Sequence, residues 1–263
     1  MSVIKIIVAT HKNFIMPQDK ELYLPIHVGC EGKKDLGFQG DNTGDNISVL
    51  NPYYCELTGL YWAWKNLECD YLGLVHYRRY FTKKAVAYKD SINIDAVILD
   101  KDDIEKMLEV SNVIVPKKRK YYIETLYSHY AHTLDGTHLD LARKMIETKS
   151  PEYLSSFDKV MKQRSGYMFN MFIMKKELAD DYFTWLFPIL DSMYECMDLS
   201  GLTAFEARLF GRVSELLFNV WLVKNNLTPK EVPFMYMEKV NLLKKAKSFL
   251  MAKFFGKKYG QSF

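Results

Sequence analysis

The stretch VIKIIVAT, residues 3–10, constrains the fold more than any other part of the chain. An almost unbroken β-branched run has no polar face, so as a strand it must be covered on both sides, inside a helix-clad sheet. Three further segments read as strands: DYLGLVHY (70–77), SNVIVPKK (111–118) and GYMFNMFIMKK (166–176). Helical patterns lie between them. Asn51 is placed to cap a helix with Pro52 at its first position, and Tyr54, Leu57, Tyr61 and Trp64 follow on one face. Ser150-Pro151 opens a helix to about residue 163. Another starts near Glu177 with a kink predicted at Pro188, and the last spans about 203–224. Alternating strands and helices without a composition break predict one α/β domain over residues 1–238, with a mainly parallel sheet covered by helices.

With 263 residues, 48% of them hydrophobic, the chain can fill such a core. A net charge of +4 is mild and suits an anionic ligand or membrane surface as well as nucleic acid. Four cysteines (Cys30, Cys55, Cys69, Cys196) without a C-x-x-C pair predict reduced thiols and a cytoplasmic protein. The N-terminus lacks the build of a signal peptide, and no apolar run approaches the ~20 residues needed to span a bilayer. The basic run KKRK (117–120) reads as a charged loop, so nucleic acid is not a predicted partner. From Lys239 to Phe263 there are seven lysines and no acidic residue, interleaved with Leu243, Phe249, Leu250, Phe254 and Phe255. That pattern predicts a basic amphipathic tail lying on anionic lipid, which makes the protein peripheral on the inner face of the membrane.

In open α/β sheets ligands gather beyond the carboxyl ends of the strands. Thr10 and His11 stand at the end of the first strand, and His76, Arg78 and Arg79 at the end of the second. The Gly/Asp/Asn-rich loop 29–46, carrying Asp41, Asp45 and Asn46, leaves the same region. Guanidiniums and imidazoles there suit a planar or phosphate-bearing anion. If the second strand stays extended, His76, Arg78 and Tyr80 share one face. Neither G-x-x-x-x-G-K-[ST] nor G-x-G-x-x-G occurs, and G-x-S-x-G is absent, which excludes the familiar nucleotide-binding and serine-hydrolase signatures. Metal-activated sugar-nucleotide enzymes hold their cation with Asp-x-Asp at such a strand end, where this chain has His-Tyr-Arg-Arg. Its cations would neutralise a leaving diphosphate directly, and no metal cofactor is predicted.

On the last helix Arg208, Arg212, Glu215 and Asn219 form a polar stripe. Glu215 reads either as a general base or as half of a surface pair with Arg212, worth about 0.3–0.5 kcal/mol. Asp41, Asp45 and Glu56 compete for the base role. His129, His132 and His138 read as hydrogen-bonded histidines rather than metal ligands. Trp62 and Trp64 are two apart on a helix, so one is core and the other is a candidate for stacking on a sugar.

Six blocks then carry a resemblance: GDNTGDNIS (40–48), NPYYCELTGLYWAWKN (51–66), GLVHYRRYF (73–81), YSHYAH (127–132), GYMFNMFIMKKEL (166–178) and ARLFGRVSELLFNVWL (207–222). In this order they resemble the bacterial domain-of-unknown-function family 4422 of capsular and exopolysaccharide glycosyltransferases. The resemblance implies a GT-A-like (Rossmann-like) fold, a nucleotide-sugar donor and transfer to a growing surface glycan; some family members are associated with transfer from UDP-galactofuranose, so a UDP-sugar is the expected donor, and the basic tail fits a lipid-linked acceptor. YMFNMFIM is also similar to the F-N-x-G-x-M strand of glycogenin-like transferases, which points to Asn170 at the acceptor, although Phe172 stands in place of the glycine. SELLFN is similar to their D-Q-D-x-x-N helix start, which points to Glu215 and Asn219. The predicted site therefore has Glu215, Asp45 and His76 as catalytic residues. Thr10, His11, Asn46, Arg78 and Arg79 take the donor, and Asn170 and His129 the acceptor. An inverting, metal-independent transfer is the leading expectation. A retaining, metal-dependent hexosyltransferase of glycogenin-like type and a non-catalytic basic module for nucleic acid or another anionic polymer stand as alternatives.

Overall fold

The computed structural model describes residues 2–238. The predicted basic tail, 239–263, lies outside the described residues. The strands are β1 (Ile4–Thr10), β2 (Tyr23–His27), β3 (Gln39–Gly40), β4 (Tyr71–His76), β5 (Arg79–Phe81), β6 (Val113–Pro116), β7 (Arg119–Lys120), β8 (Ser165–Gly166), β9 (Phe172–Lys175), β10 (Lys230–Val232) and β11 (Phe234–Tyr236). The α-helices are α1 (Asn51–Tyr54), α2 (Leu57–Asn66), α3 (Ile94–Val97), α4 (Lys101–Leu108), α5 (Leu126–Thr133), α6 (Thr137–Lys149), α7 (Leu154–Met161), α8 (Lys176–Cys196) and α9 (Leu209–Lys224).

The main sheet runs β10-β6-β9-β4-β1-β2-β3, with β5 and β11 paired to each other beside β4. β4, β1, β2 and β3 are parallel, as are β6 and β10, while β9 is antiparallel to both of its neighbours. Two reversals restore direction, so β6 points the same way as β4 and β1. Their carboxyl ends open on one edge, and that edge carries the candidate site. The fold is the Rossmann-like, mostly parallel α/β sheet that the sequence predicts.

The alternation of a pleated strand explains why these runs need cover on both faces. In β1, Ile7 and Ala9 enter one core with Leu72 and Leu74 of β4 and Phe172 and Met174 of β9. Ile4, Ile6 and Val8 enter the other, with Val75 and Ile173. The first core is roofed by α1, α2 and α5 to α9, the second by α3 and α4. Burying one such Ile, Leu or Phe stabilises the fold by about 1.5–3 kcal/mol.

Several boundaries differ from the sequence reading, each for a local reason. β2 contains Pro25, which discourages a strand reading. The short β3 meets only Ile26 and His27 on that side, so Pro25 leaves no ladder bond unmade. The expected helix over 51–66 is broken at Cys55 (φ +55°) into α1 and α2, and Asn51 opens α1 instead of capping it. Its side chain donates instead to the Cys55 carbonyl and the Thr58 hydroxyl. The strand expected over 166–176 is split between β8 and β9 by a tight turn. The last helix begins at Leu209 rather than near 203. α8 carries Pro188 inside its 21 residues.

Candidate functional site

The segment that leaves β4 does not stay extended. It reverses at Tyr77 and Arg78 into β5, and His76 faces Arg79 across the hairpin. The sharing of one face by His76, Arg78 and Tyr80 is therefore overturned: Arg78 occupies the turn and Tyr80 is buried. β11 pairs with β5 and brings Tyr236 opposite Arg79.

The break at Cys55 delivers Glu56 to the amino end of α2, buried beneath the hairpin. His76 Nε2 lies 3.6 Å from Glu56 Oε1, and Asn170 Nδ2 donates to the same oxygen at 2.8 Å. Burial alone would raise the Glu56 carboxyl. The His76 charge and hydrogen bonds outweigh it and hold the group at about 2. Asn170 is itself fixed, donating to the Gly211 carbonyl and accepting from the Ser214 hydroxyl of α9.

Asn170 and its predecessor form the tight turn between β8 and β9. Phe169 has φ +78° and Asn170 φ +53°, two adjacent left-handed residues of which neither is glycine. Such a pair costs free energy and persists only where its surroundings over-determine it. Asn219 of α9 supplies one restraint, bracketing Tyr167 with hydrogen bonds of 2.8 Å to its N–H and its carbonyl. Arg79 supplies the other: its guanidinium lies 4.5 Å above the Phe169 ring and 5.2 Å from that of Tyr236. Phe234 also packs on Phe169 at 5.3 Å. Arg79 Nε is buried without a hydrogen-bond partner among the described residues, so its restraint acts through stacking.

Glu215 faces this turn. Burial and the neighbouring Glu56 charge raise its carboxyl above the usual range, against the Phe169 N–H, Arg212 and Arg79, which favour the ionised form. It is thus no wet surface pair with Arg212. Arg212 is itself largely desolvated, its guanidinium 4.3 Å from the Phe205 ring. Two adjacent carboxylates with protonation pushed in opposite directions are the pattern of paired acid–base groups.

A cationic rim borders the carboxylates. His11 is held in its neutral form by partial desolvation and then by Lys12, Arg208, Lys33 and Arg78. Arg208 also acts on Glu56 and Glu215 and donates to the Cys55 thiol at 3.3 Å, which joins the rim to the carboxylate pair. His11 packs edge-on against Tyr77 at 5.3 Å. Arg78 is paired with Glu238. Thr10 is fully buried and its hydroxyl donates to the Lys12 carbonyl at 2.6 Å, so it shapes the turn that presents His11 and Lys12.

The acceptor-side candidate His129 lies on α5, whose start is fixed by a capping box between Thr125 and Ser128. His129 and His132, three apart on one face, both place Nδ1 2.8 Å from Glu124, a carboxylate only 3% exposed. His138 is satisfied by the Tyr130 hydroxyl at 3.0 Å. All three are therefore hydrogen-bonded histidines. The His129 ring stacks 4.1 Å from Tyr121, and the charge of Glu215 is felt at the Tyr121 hydroxyl, which burial pushes up to about 12.

His76, Arg79, Asn170 and Glu215 thus converge around Glu56, with His11 and Arg78 on the rim and His129 one ring away. Asp45 and Asn46 do not join them. Asp45 is exposed and accepts from the Tyr61 hydroxyl, and its backbone pairs with Asn66 at the far end of α2. Ten helical residues, about 15 Å, separate that end from Glu56. Asn46 serves its own loop, donating to Gly44 and accepting from the Ser48 N–H. Asp41 is sealed, accepting from Gly29, Cys30, Ser48 and Thr58. Trp62 donates to Thr43, and Trp64 stacks on Phe187 at 5.7 Å, so both rings belong to the core cluster or pack on it. Phe172, standing where the glycogenin-like strand has glycine, fills the core beside Phe218.

Sequence reasoning passed over Lys12, Lys33, Tyr121, Glu124 and Phe169. Glu124 had a usable signal, because it directly precedes the Thr125–Ser128 capping box of a helix that carries two histidines on one face. The left-handed Phe169 had none.

No curated protein matches the chain. Among solved structures it is similar to the apo structure of the WbbM bifunctional glycosyltransferase, at 31% identity with a TM-score of 0.81. The match covers 90% of this chain and 45% of the WbbM chain, so this chain spans less than half of that protein. Residues 5–226 match a family described as a domain of unknown function. With its fold, its cationic rim and its carboxylate pair in view, the chain belongs to the DUF4422 family.

Proposed function

We propose that the chain is a glycosyltransferase that moves a sugar from a UDP-sugar to a saccharide hydroxyl with inversion and without a metal ion. The observation that carries this reading is the convergence of Lys12, Lys33, Arg78 and Arg208 on His11, beside the Glu56–Glu215 pair. Four cations at the strand ends suit a diphosphate, and a half-buried carboxylate of raised pKa suits a base working closer to neutrality. The likeness to a bifunctional glycosyltransferase supports the same class of activity.

In the step, the acceptor oxygen bonds to the anomeric carbon as the bond from that carbon to the UDP oxygen breaks. The hydroxyl proton passes to Glu215. The electron pair leaves on the diphosphate, where the rim stabilises it. Glu56 stays ionised, steadied by Asn170 and His76. His129, held by Glu124, borders the acceptor. Galactofuranose is the first donor sugar to test, the acceptor is a lipid-linked saccharide of a surface polysaccharide, and the tail 239–263 keeps the enzyme at the inner membrane face.

UDP at 100 times its Kd should add about 2.7 kcal/mol of stability in thermal unfolding. UDP release from UDP-galactofuranose in the presence of acceptor should persist in excess EDTA. Complete loss with chelator and recovery with manganese would sink the metal-independent mechanism. Absence of UDP binding together with salt-sensitive RNA binding would replace the enzyme by a binding module.

A further inference from the structure

β6 ends on the same edge as β1 and β4, and the chain that leaves it is KKRKYYI, residues 117–123. Lys117, Lys118, Arg119 and Lys120 are all exposed. Arg164, also exposed, joins them because β7 pairs with β8 and its guanidinium donates to the Tyr122 carbonyl at 3.1 Å. Among the described residues none of these five cations forms an ion pair with a carboxylate. Tyr121 turns inward onto His129, while Tyr122 is 77% and Ile123 56% exposed. Among the described residues they are the adjacent pair of large exposed apolar side chains, the others being the isolated Val3, Ile15, Val49 and Val110. Tyr122 has φ +52°, a left-handed kink that a bulky residue adopts only under constraint.

Lys118 lies over the Tyr167 ring and Arg119 over that of Tyr121, and five cations without a carboxylate partner among the described residues, around a protruding tyrosine and an aliphatic side chain, match a membrane surface. The apolar pair enters the interfacial layer and the cations face headgroup phosphates. Nucleic acid would use the cations and give Ile123 no partner. Glu238 pairs with Arg78 on this same edge, and the sequence beyond it brings seven more lysines and no acid.

We infer that the 117–123 loop, with Arg164, docks on an anionic lipid bilayer, so that the site edge faces the membrane. The docking itself does not depend on the transfer reaction; its use, presenting the Tyr121–His129 side of the site to a lipid-linked acceptor, rests on the function proposed above.

The test is sedimentation of the full chain with phosphatidylglycerol–phosphatidylcholine vesicles and with phosphatidylcholine alone, in the absence of any sugar. Wild type should bind the anionic vesicles only. Y122S/I123S should bind about tenfold more weakly with an unchanged Tm, and K118E/K120E should lose about fivefold per cation at low salt. Turnover with a soluble acceptor should be the same in all three. If both variants sediment like wild type, the loop does not dock. If only K118E/K120E loses vesicle binding and it loses RNA binding in parallel, the patch serves nucleic acid instead. Failure of turnover with vesicle binding intact would count against the transferase and leave the docking standing.

Discussion

Asn170 donates a 2.8 Å hydrogen bond to Glu56 from a backbone conformation of φ +53° that few non-glycine residues adopt. The bond joins a strained turn to a buried carboxylate some 114 residues earlier in the chain. Through it the shape of the 169–170 turn becomes the electrostatic state of the site.

The first consequence is a pH dependence of stability. Glu56 is held at about 2 in the fold, against an ordinary 4.5 in the unfolded chain. A depressed carboxylate stabilises the fold above the unfolded value and loses that contribution as pH falls through the folded one. H76Q removes one of the partners that outweigh burial at Glu56 and leaves the Asn170 hydrogen bond in place. It should be less stable than wild type by about 1–3 kcal/mol where Glu56 is ionised. The gap should close between about pH 4.5 and pH 2. Urea unfolding of both proteins across that range checks it, and a pH-independent gap would count against the charge pairing.

Glu215 should behave as a base. E215Q should lower kcat by roughly 100- to 10,000-fold while UDP still binds and the Tm holds. Because burial and Glu56 raise the Glu215 carboxyl, wild-type kcat should climb with pH through a value above the ordinary carboxylate range. A flat profile, or an active E215Q, would move the role to another group.

Arg79 should act on the reaction through the turn beneath it. R79K keeps the charge but loses the planar stack on Phe169 and Tyr236. It should lose about tenfold in kcat with little change in the pH profile. R79A also removes a cation that favours ionised Glu215, so its ascending limb should move to higher pH. Kinetics at several pH values separate these outcomes from a purely donor-binding arginine, whose loss would appear in KM.

The two aspartates of the glycine-rich loop should diverge. Asp41 accepts from two backbone N–H groups and two hydroxyls in a fully buried position, and D41A removes that acceptor from all four, leaving only the Thr58 hydroxyl with another, the Cys55 carbonyl. It should cost about 3–5 kcal/mol. D45A removes an exposed bond to Tyr61 and should change stability by about 0.5 kcal/mol or less. Thermal unfolding of the two variants decides.

What could be read in advance follows physical range. The continuous hydrophobic runs announced β1, β4 and β6 because hydrophobicity is a local property, and the strand-end rule then placed His11 and His76 at the carboxyl ends of β1 and β4, where the structure has them. The devices that assemble the site are not local. The reversal at Tyr77–Arg78 has no Gly, Asn or Pro to mark it, and the breaks at Cys55 and Phe169 occur in residues that normally continue a helix or strand. Each conformation is imposed by partners distant in sequence: α9 at the Asn170 turn, β11 at Arg79. Glu56 therefore stood in the sequence only as one of three competitors for the base role, and the break at Cys55 is what turns it inward.

The pairing of β11 with β5 also sets an order of events. Tyr236 reaches Arg79 across more than 150 residues while Phe234 packs on Phe169 beneath it, and the family match stops at residue 226, before β10 begins. A chain emerging from the ribosome can lay down β1, β4 and even α9 while the arginine cage still lacks its C-terminal wall. Contacts of such long sequence separation close late. Activity is then the last property the polypeptide acquires, and a chain halted before Phe234 would hold both carboxylates without the clamp that aims them.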